Sequence, residues 1–200
     1  VIASNPVDVM TTVYQQATGF DKAKVISSSC SLDSSRLRVE LAKILEVAPT
    51  SVAAFVVGEQ GDSSVSTLEH GTIMGIPFIN YLRDVKGYDD AKLAKLHETV
   101  YKKAYEIINR KRATFYGIGA ALAEITKAIL RDERKVFATG AYLSGEYGQE
   151  GVYAGVPSIL GSAGIIRTME FPLSEAEHAQ FVKSVSTLKE ATEKALDAIK

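Results

Sequence analysis

Apolar positions recur along the chain in two rhythms, and their order outlines the fold. Val9, Met10, Val13, Tyr14 and Ala17 fall at helical spacing, and Gly19 ends the run. Asn5-Pro6 stands before them. Asn can cap free helix N–H groups, and Pro fits the first helical position, where no N–H is missed. Val1–Ser4 reads as the end of a strand, so the first residues look like the strand-to-helix step of an α/β sheet. Val25-Ile26 predicts a second short strand, followed by the stretch Ser27-Ser28-Ser29-Cys30-Ser31. A helix is expected from about Asp33 to Glu46, burying Leu37, Leu41, Ile44 and Leu45. Val52–Val57 is a continuous apolar run that predicts a buried strand, and it ends in Gly58-Glu59-Gln60-Gly61-Asp62-Ser63. Polar groups placed by glycines just past a buried strand are where α/β enzymes often put their chemistry.

From Asp89 to about Arg112 the helical rhythm returns through Leu93, Leu96, Val100, Ala104, Ile107 and Ile108. A second stripe runs from Ile118 to Leu130. Three β-rich segments follow, Val136–Leu143, Gly151–Leu160 and Ile165–Phe171, and their short Gly-containing links predict an antiparallel meander. Ser174-Glu175-Ala176-Glu177 is a capping box. It opens a terminal helix with Phe181, Val185, Leu188, Ala195 and Ile199 facing inward. No further strand–helix alternation builds a sheet for the first segment. The reading is therefore an α+β domain over residues 23–200, an antiparallel sheet with packed helices. Residues 1–22 read as the last strand and helix of an α/β neighbour whose remainder would be supplied by sequence before residue 1.

Composition narrows the function. The 200 residues carry 46% hydrophobic and 24% charged positions and a net charge of −1, an ordinary globular balance with no cationic excess for nucleic acid. The basic runs Lys102-Lys103 and Arg110-Lys111-Arg112 read as a solvated helix face. A single cysteine, Cys30, leaves no internal disulfide and no Cys-based zinc site, and it reads as a small buried filler. His70, His97 and His178 are too scattered for a metal site. His97 and His178 are expected at the surface. With no apolar run near the ~20 residues of a membrane span and no signal-like start, a cytoplasmic protein that engages neither membrane nor nucleic acid is expected.

The candidate chemistry begins with Asp33 and Arg36. Three residues apart at a helix start, they share one face, and an Arg there suits two-bond capture of a carboxylate. Alone, the spacing equally fits a solvated ion pair. Four segments then occur in order: Asn5-Pro6-Val7-Asp8, Ser31-Leu32-Asp33-Ser34-Ser35-Arg36-Leu37-Arg38, Gly58–Ser63 and Ala113-Thr114-Phe115-Tyr116-Gly117. Together they resemble the NAD-dependent L-lactate/malate dehydrogenase family over its C-terminal two-thirds, and Ala113–Ile118 is similar to the bacterial L-lactate branch.

The resemblance implies a role for each matching position. Arg36 would grip the substrate carboxylate, and Asp33 would orient the family's acid/base histidine. Asn5 would hydrogen-bond the substrate oxygen or the nicotinamide side. Thr114 would line the side-chain pocket, Ile118 would pack on the nicotinamide ring, and Ser28 would stand near it. The activity implied is interconversion of a small 2-oxo acid such as pyruvate with its L-2-hydroxy acid, using NAD. The chain alone is expected to bind NAD weakly or not at all. A homo-oligomer, dimer or tetramer, is implied as well. Arg38 matches a regulatory phosphate-site arginine, but its histidine partner's position is Ala53, so a plain surface arginine is expected.

The chain departs from the family at the acid/base position, where Gln60 stands in place of His. Gln has similar reach but cannot exchange a proton near neutral pH. The family's Gly-Ser-Gly beside the nicotinamide is Ser27-Ser28-Ser29 here, and its Gly before the Ala-Thr segment is Arg112. Each exchange restricts the backbone and adds bulk. No G-x-G-x-x-G occurs in the chain. The alternatives are a degenerate domain kept for assembly or ligand binding, or a residue exchanged at position 60 to trap a substrate complex.

Overall fold

A computed structural model describes residues 1–198. The inward Ile199 expected on the last helix lies outside the described residues. Helix α1 spans Val7–Thr18 and α2 spans Ser31–Leu45. Five two-residue strands follow: β1 Val52–Ala53, β2 Val56–Val57, β3 Val65–Ser66, β4 Thr72–Ile73 and β5 Ile76–Pro77. A π turn at Tyr81–Val85 leads into α3 Asp90–Lys111 and α4 Tyr116–Leu130. Strands β6 Lys135–Ser144, β7 Glu150–Gly161 and β8 Gly164–Thr168 then form the expected antiparallel meander in the order β6-β7-β8. Helix α5, Glu175–Asp197, opens on the expected capping box, Ser174 accepting from the Glu177 N–H while Glu177 accepts from the Ser174 N–H.

β7 is buried from Val152 to Ser158 without alternation, the signature of a strand covered on both faces. One core joins β6 and β7 to α1 and α5 through Val9, Leu143, Val156, Phe181, Val185 and Leu188. Another collects Leu37 and Leu41 of α2 with Val56, Phe78, Leu82, Leu96 and Val100. Each buried aliphatic or aromatic side chain contributes roughly 1.5–3 kcal/mol.

Several elements differ from the sequence reading, each for a local reason. The run Val52–Val57 is two strands rather than one: Val52 pairs with Ile73 and Val56 with Ser66, in separate sheets. Between them, side-chain hydroxyls take over the ladder, since the Phe55 and Val56 N–H groups donate to Thr67 Oγ1 and Ser34 Oγ, each at 2.9 Å. α2 starts at Ser31, two residues early, and Ile44 is only half-buried. α1 has no side-chain cap; Pro6 stands at the cap position and Asn5 is exposed. Its buried face is Val7, Asp8, Val9, Thr11 and Thr12, whereas Met10 and Tyr14 point outward.

The sheet carries a row of pairings that runs across its strands. Gly140 of β6 lies opposite Gly155 of β7. Gly140 bridges on its other side to Ser27, Ser27 pairs with Ile2, and Gly155 pairs with Gly58. Ile2, Ser27, Gly140, Gly155 and Gly58 thus form a single transverse row of paired backbones. Three candidate segments, those beginning near Asn5, Ser27 and Gly58, hang from this row.

Candidate active site

The central contact is at the start of α2. Arg36 Nη1 donates to Asp33 Oδ1 at 2.6 Å. The Gln60 side chain also hydrogen-bonds the Asp33 carboxylate. Burial pushes the Asp33 pKa up, while the Arg36 charge and the two hydrogen bonds pull against that rise. Asp33, Arg36 and Gln60 therefore meet, although they come from a helix and a distant loop.

Arg36 also lines a cavity of about 320 Å³ together with Leu32, Lys103, Ile107, Thr114 and Ile118. The cavity joins the start of α2 to the end of α3 and the turn into α4. Its lining mixes the basic Arg36, Lys103, Arg110 and Lys111, offset in part by Glu106, with the apolar Leu32, Ile107 and Ile118, which suits a small organic anion. Thr114 and Ile118 are half-buried in its wall. Asn5 and Ser28 are not among its lining residues; Asn5 is exposed ahead of α1 and Ser28 is buried beside Ile2, whose carbonyl accepts from the Ser28 N–H at 3.0 Å. A larger cavity of about 640 Å³ lies between α1, α5 and the far ends of β6 and β7, away from these residues.

The Gly58–Ser63 loop is held from several directions. Gly58 and Gly155 exchange backbone hydrogen bonds of 2.8 Å. The Glu59 N–H donates to Ser184 Oγ at 2.8 Å, and the Gln60 N–H donates to Asp8 Oδ2 at 3.1 Å. Asp8 carries no role in the sequence reading, yet it is buried and also accepts from Ser27 Oγ at 3.1 Å and from the Ser29 hydroxyl. Burial raises its pKa from 3.8 to about 6. The only signal for it in the sequence is that it shares a helix face with Thr11 and Thr12, a hydroxyl stripe that hydrophobic periodicity overlooks.

The serine exchanges resolve differently from expectation. Ser27 and Ser29 turn their hydroxyls inward to Asp8, so their bulk is absorbed by the glycines of the transverse row. A Cβ at Gly140 would lie 2.0 Å from Ser27 Oγ, and one at Gly155 would lie 2.6 Å from Ser29 Oγ. The backbone restriction is real: Ser29 has φ +35° and Arg112 has φ +65°, both in the left-handed region that favours glycine.

Cys30 is fully buried, its thiol against the Gly58 and Glu59 carbonyls and its pKa pushed up by burial. Arg38 is half-buried and bonded to Ser35 Oγ at 3.2 Å rather than a plain surface arginine. His97 is half-buried, with Nδ1 2.7 Å from Ser66 Oγ, because α3 folds over β3; the surface placement expected for it does not hold. His178 is exposed as expected. In the basic run, Lys102, Lys103 and Arg110 pair with Glu98 or Glu106 on the outer face of α3. Among the described residues no cluster of His, Cys, Asp and Glu could hold a metal ion, and no helix is long and apolar enough to cross a membrane.

Residues 30–199 match the family described as lactate/malate dehydrogenase, alpha/beta C-terminal domain, and the chain belongs to that family. It is 50% identical over 200 residues to the L-lactate dehydrogenase of Mycoplasma mobile and 51% identical over 199 residues to that of Mesoplasma florum. All of this chain aligns in both cases, against 63% and 62% of those relatives' lengths. The minor L-lactate dehydrogenase of Enterococcus mundtii, solved in a ligands-bound form, superposes with a TM-score of 0.91 at 40% identity, over 96% of this chain and 61% of that one. The chain thus spans about three-fifths of the relatives it matches.

Proposed function

We propose that this chain carries the substrate domain of an NAD-dependent L-lactate dehydrogenase, interconverting pyruvate and L-lactate. The observation that carries the reading is the meeting of Arg36 and Gln60 on the Asp33 carboxylate, beside a cavity walled by Thr114 and Ile118. In this reading, residues 1–22 close a nucleotide-binding domain and residues 23–200 form the substrate domain. The intact enzyme is a homo-oligomer.

Arg36 binds the substrate carboxylate through the N–H groups that Asp33 leaves free, and Asp33 keeps the guanidinium aimed. Thr114 bounds the substrate methyl group. Asn5 donates to the reacting oxygen or to the carboxamide of the cofactor, and Ser28 flanks the same end. NADH, when bound, supplies the hydride. The residues present suit its nicotinamide end only: Ile118 offers an apolar wall to a flat ring, while no glycine-rich phosphate cradle occurs in the sequence. Weak NADH binding by this chain alone follows.

Gln60 sets the rate. Its amide can hydrogen-bond a substrate carbonyl, but the proton needed as the carbonyl becomes an alkoxide has no donor there. A positioned general acid contributes roughly 10²–10⁴-fold. The test joins this chain to the nucleotide-binding part of the Mycoplasma mobile relative and follows pyruvate-dependent NADH consumption. Gln60→His is expected to raise kcat/KM at least about a hundredfold. Arg36→Lys is expected to raise KM for pyruvate, because a point charge cannot replace the planar fork. Full activity with Gln60, or none regained with histidine, would overturn the assignment. Gln60 also favours a second reading, a domain that binds without catalysing; micromolar binding of NADH and pyruvate by the joined protein with no turnover in either form would establish it.

A further inference from the structure

The transverse row explains how three segments come together, but backbone pairing alone does not fix the loop beyond Gly58. Ser184 holds the Glu59 N–H, and one buried side chain holds the N–H of Gln60 itself. Asp8 lies in the first turn of α1, three residues after Asn5, and is 2% exposed. Its Oδ1 accepts from Ser27 Oγ at 3.1 Å and its Oδ2 from the Gln60 backbone N–H at 3.1 Å. The Ser29 hydroxyl is a third donor. A Cβ at Gly140 would approach Oδ1 to 2.8 Å, so the sheet leaves room for this carboxylate and little else.

We propose that Asp8 is a positioning residue: its carboxylate ties the serine segment to the Gln60 backbone and thereby sets where the residue-60 side chain meets Asp33 and the substrate. The proposal deepens the dehydrogenase reading and rests on it. An ionised carboxylate can accept all three donors. Its protonated form turns one oxygen into a donor, so either a serine hydroxyl reverses to accept from it or the bond to the Gln60 N–H weakens, and the Gln60 amide feels the change in charge in both cases. Burial places the Asp8 pKa at about 6, within reach of ordinary conditions. The charged and titratable groups felt there are Glu59, whose charge raises the Asp8 pKa, and the Cys30 thiol, whose own pKa is raised in part by Asp8. The substrate side is not touched directly, so Asp8 should act on the catalytic step and leave Arg36 binding nearly alone.

Two measurements decide the matter. In this chain labelled with ¹⁵N, the Gln60 backbone amide is followed by NMR from pH 5 to 8. It should move through one titration with a midpoint near 6, and Asp8→Asn, which is isosteric, should abolish that titration. A Gln60 amide that does not titrate, or one whose titration persists in Asp8→Asn, overturns the proposal, and the first of these outcomes can be read from the unsubstituted chain alone. In the joined enzyme carrying Gln60→His, Asp8→Asn should lower kcat at least tenfold with KM for pyruvate changed less than twofold. It should also remove the inflection near pH 6 from the kcat profile. A variant with unaltered kcat and pH profile, or one that loses KM and kcat together, overturns it. An inactive joined enzyme would sink the dehydrogenase reading while the NMR titration still decides Asp8.

Discussion

The candidate site draws on two segments built on opposite plans, a wall that brings Gln60 to Asp33 and a wall at the α3–α4 turn, of which only the second lines the cavity. The wall that carries residue 60 is tied at Gly58, Glu59 and Gln60 to β7, α5 and α1, and its anchors Asp8, Ser184 and Gly58 are all buried. The wall formed by the end of α3 and the start of α4 is exposed through most of residues 110–117, and Phe115 and Tyr116 are 52% and 79% exposed. The ion pairs it carries, Lys103–Glu106 and Arg110–Glu106, lie on the surface, where such pairs add little. A group that must meet a reacting atom needs fixed placement, whereas a pocket wall that encloses a ligand is free to yield.

The sharpest way to break this contrast is through pH. Because folding raises the Asp8 pKa from 3.8 to about 6, the native state holds a proton over that interval that the unfolded state has already released. Stability should therefore be greatest below the lower value, fall as pH rises towards 6, and level off above it. The difference amounts to about 3 kcal/mol. Denaturant midpoints of the chain and of Asp8→Asn, taken across this range, should diverge on the acid side, since the variant lacks the dependence. Parallel curves would show that the tied wall does not depend on this carboxylate.

A glycine in each wall gives the next test. Gly140→Ala should cost about 2 kcal/mol, since the new Cβ would collide with Ser27 Oγ and Asp8. Gly119→Ala, in α4 with nothing near its added Cβ, should instead stabilise by about 1 kcal/mol through helix propensity. Thermal melts that moved both variants in the same direction would erase the distinction. The smallest effects concern the two positions of positive φ. Arg112→Gly, at the exposed end of α3, should gain about 1 kcal/mol by relieving the left-handed backbone. Ser29→Gly should change stability by under about 0.5 kcal/mol, because the same relief is offset by loss of the hydroxyl that reaches Asp8.

Long, strongly periodic elements were legible in the sequence. α3, α4, the first two strands of the meander and the capped start of α5 lie within a residue or two of expectation because each has its own pattern or cap, whereas the third strand ends at Thr168, three residues before the expected Phe171. The short pieces were not. The β4–β5 hairpin turns at Met74-Gly75 with φ of +49° and +90°, and Met gives no turn signal where Asn or Asp would. The Asp33–Arg36–Gln60 meeting was legible through motif order. Asp8 was not, since an acid in a helix's first turn reads as a surface residue facing the macrodipole. Its burial follows from partners far along the chain, Ser27 and Gln60, which no local window contains.

The transverse row also bears on how the molecule reaches its native state. Its rungs join Ile2 to Ser27, Ser27 to Gly140 and Gly155 to Gly58, so two of the three contacts close loops of about a hundred residues. The Gly140–Gly155 rung belongs to a local hairpin and can form early. The flanking rungs return their entropy only once both hairpin strands are in place. The row should therefore zip outward from β6 and β7, with the Gly58 loop and the Ile2 segment docking last.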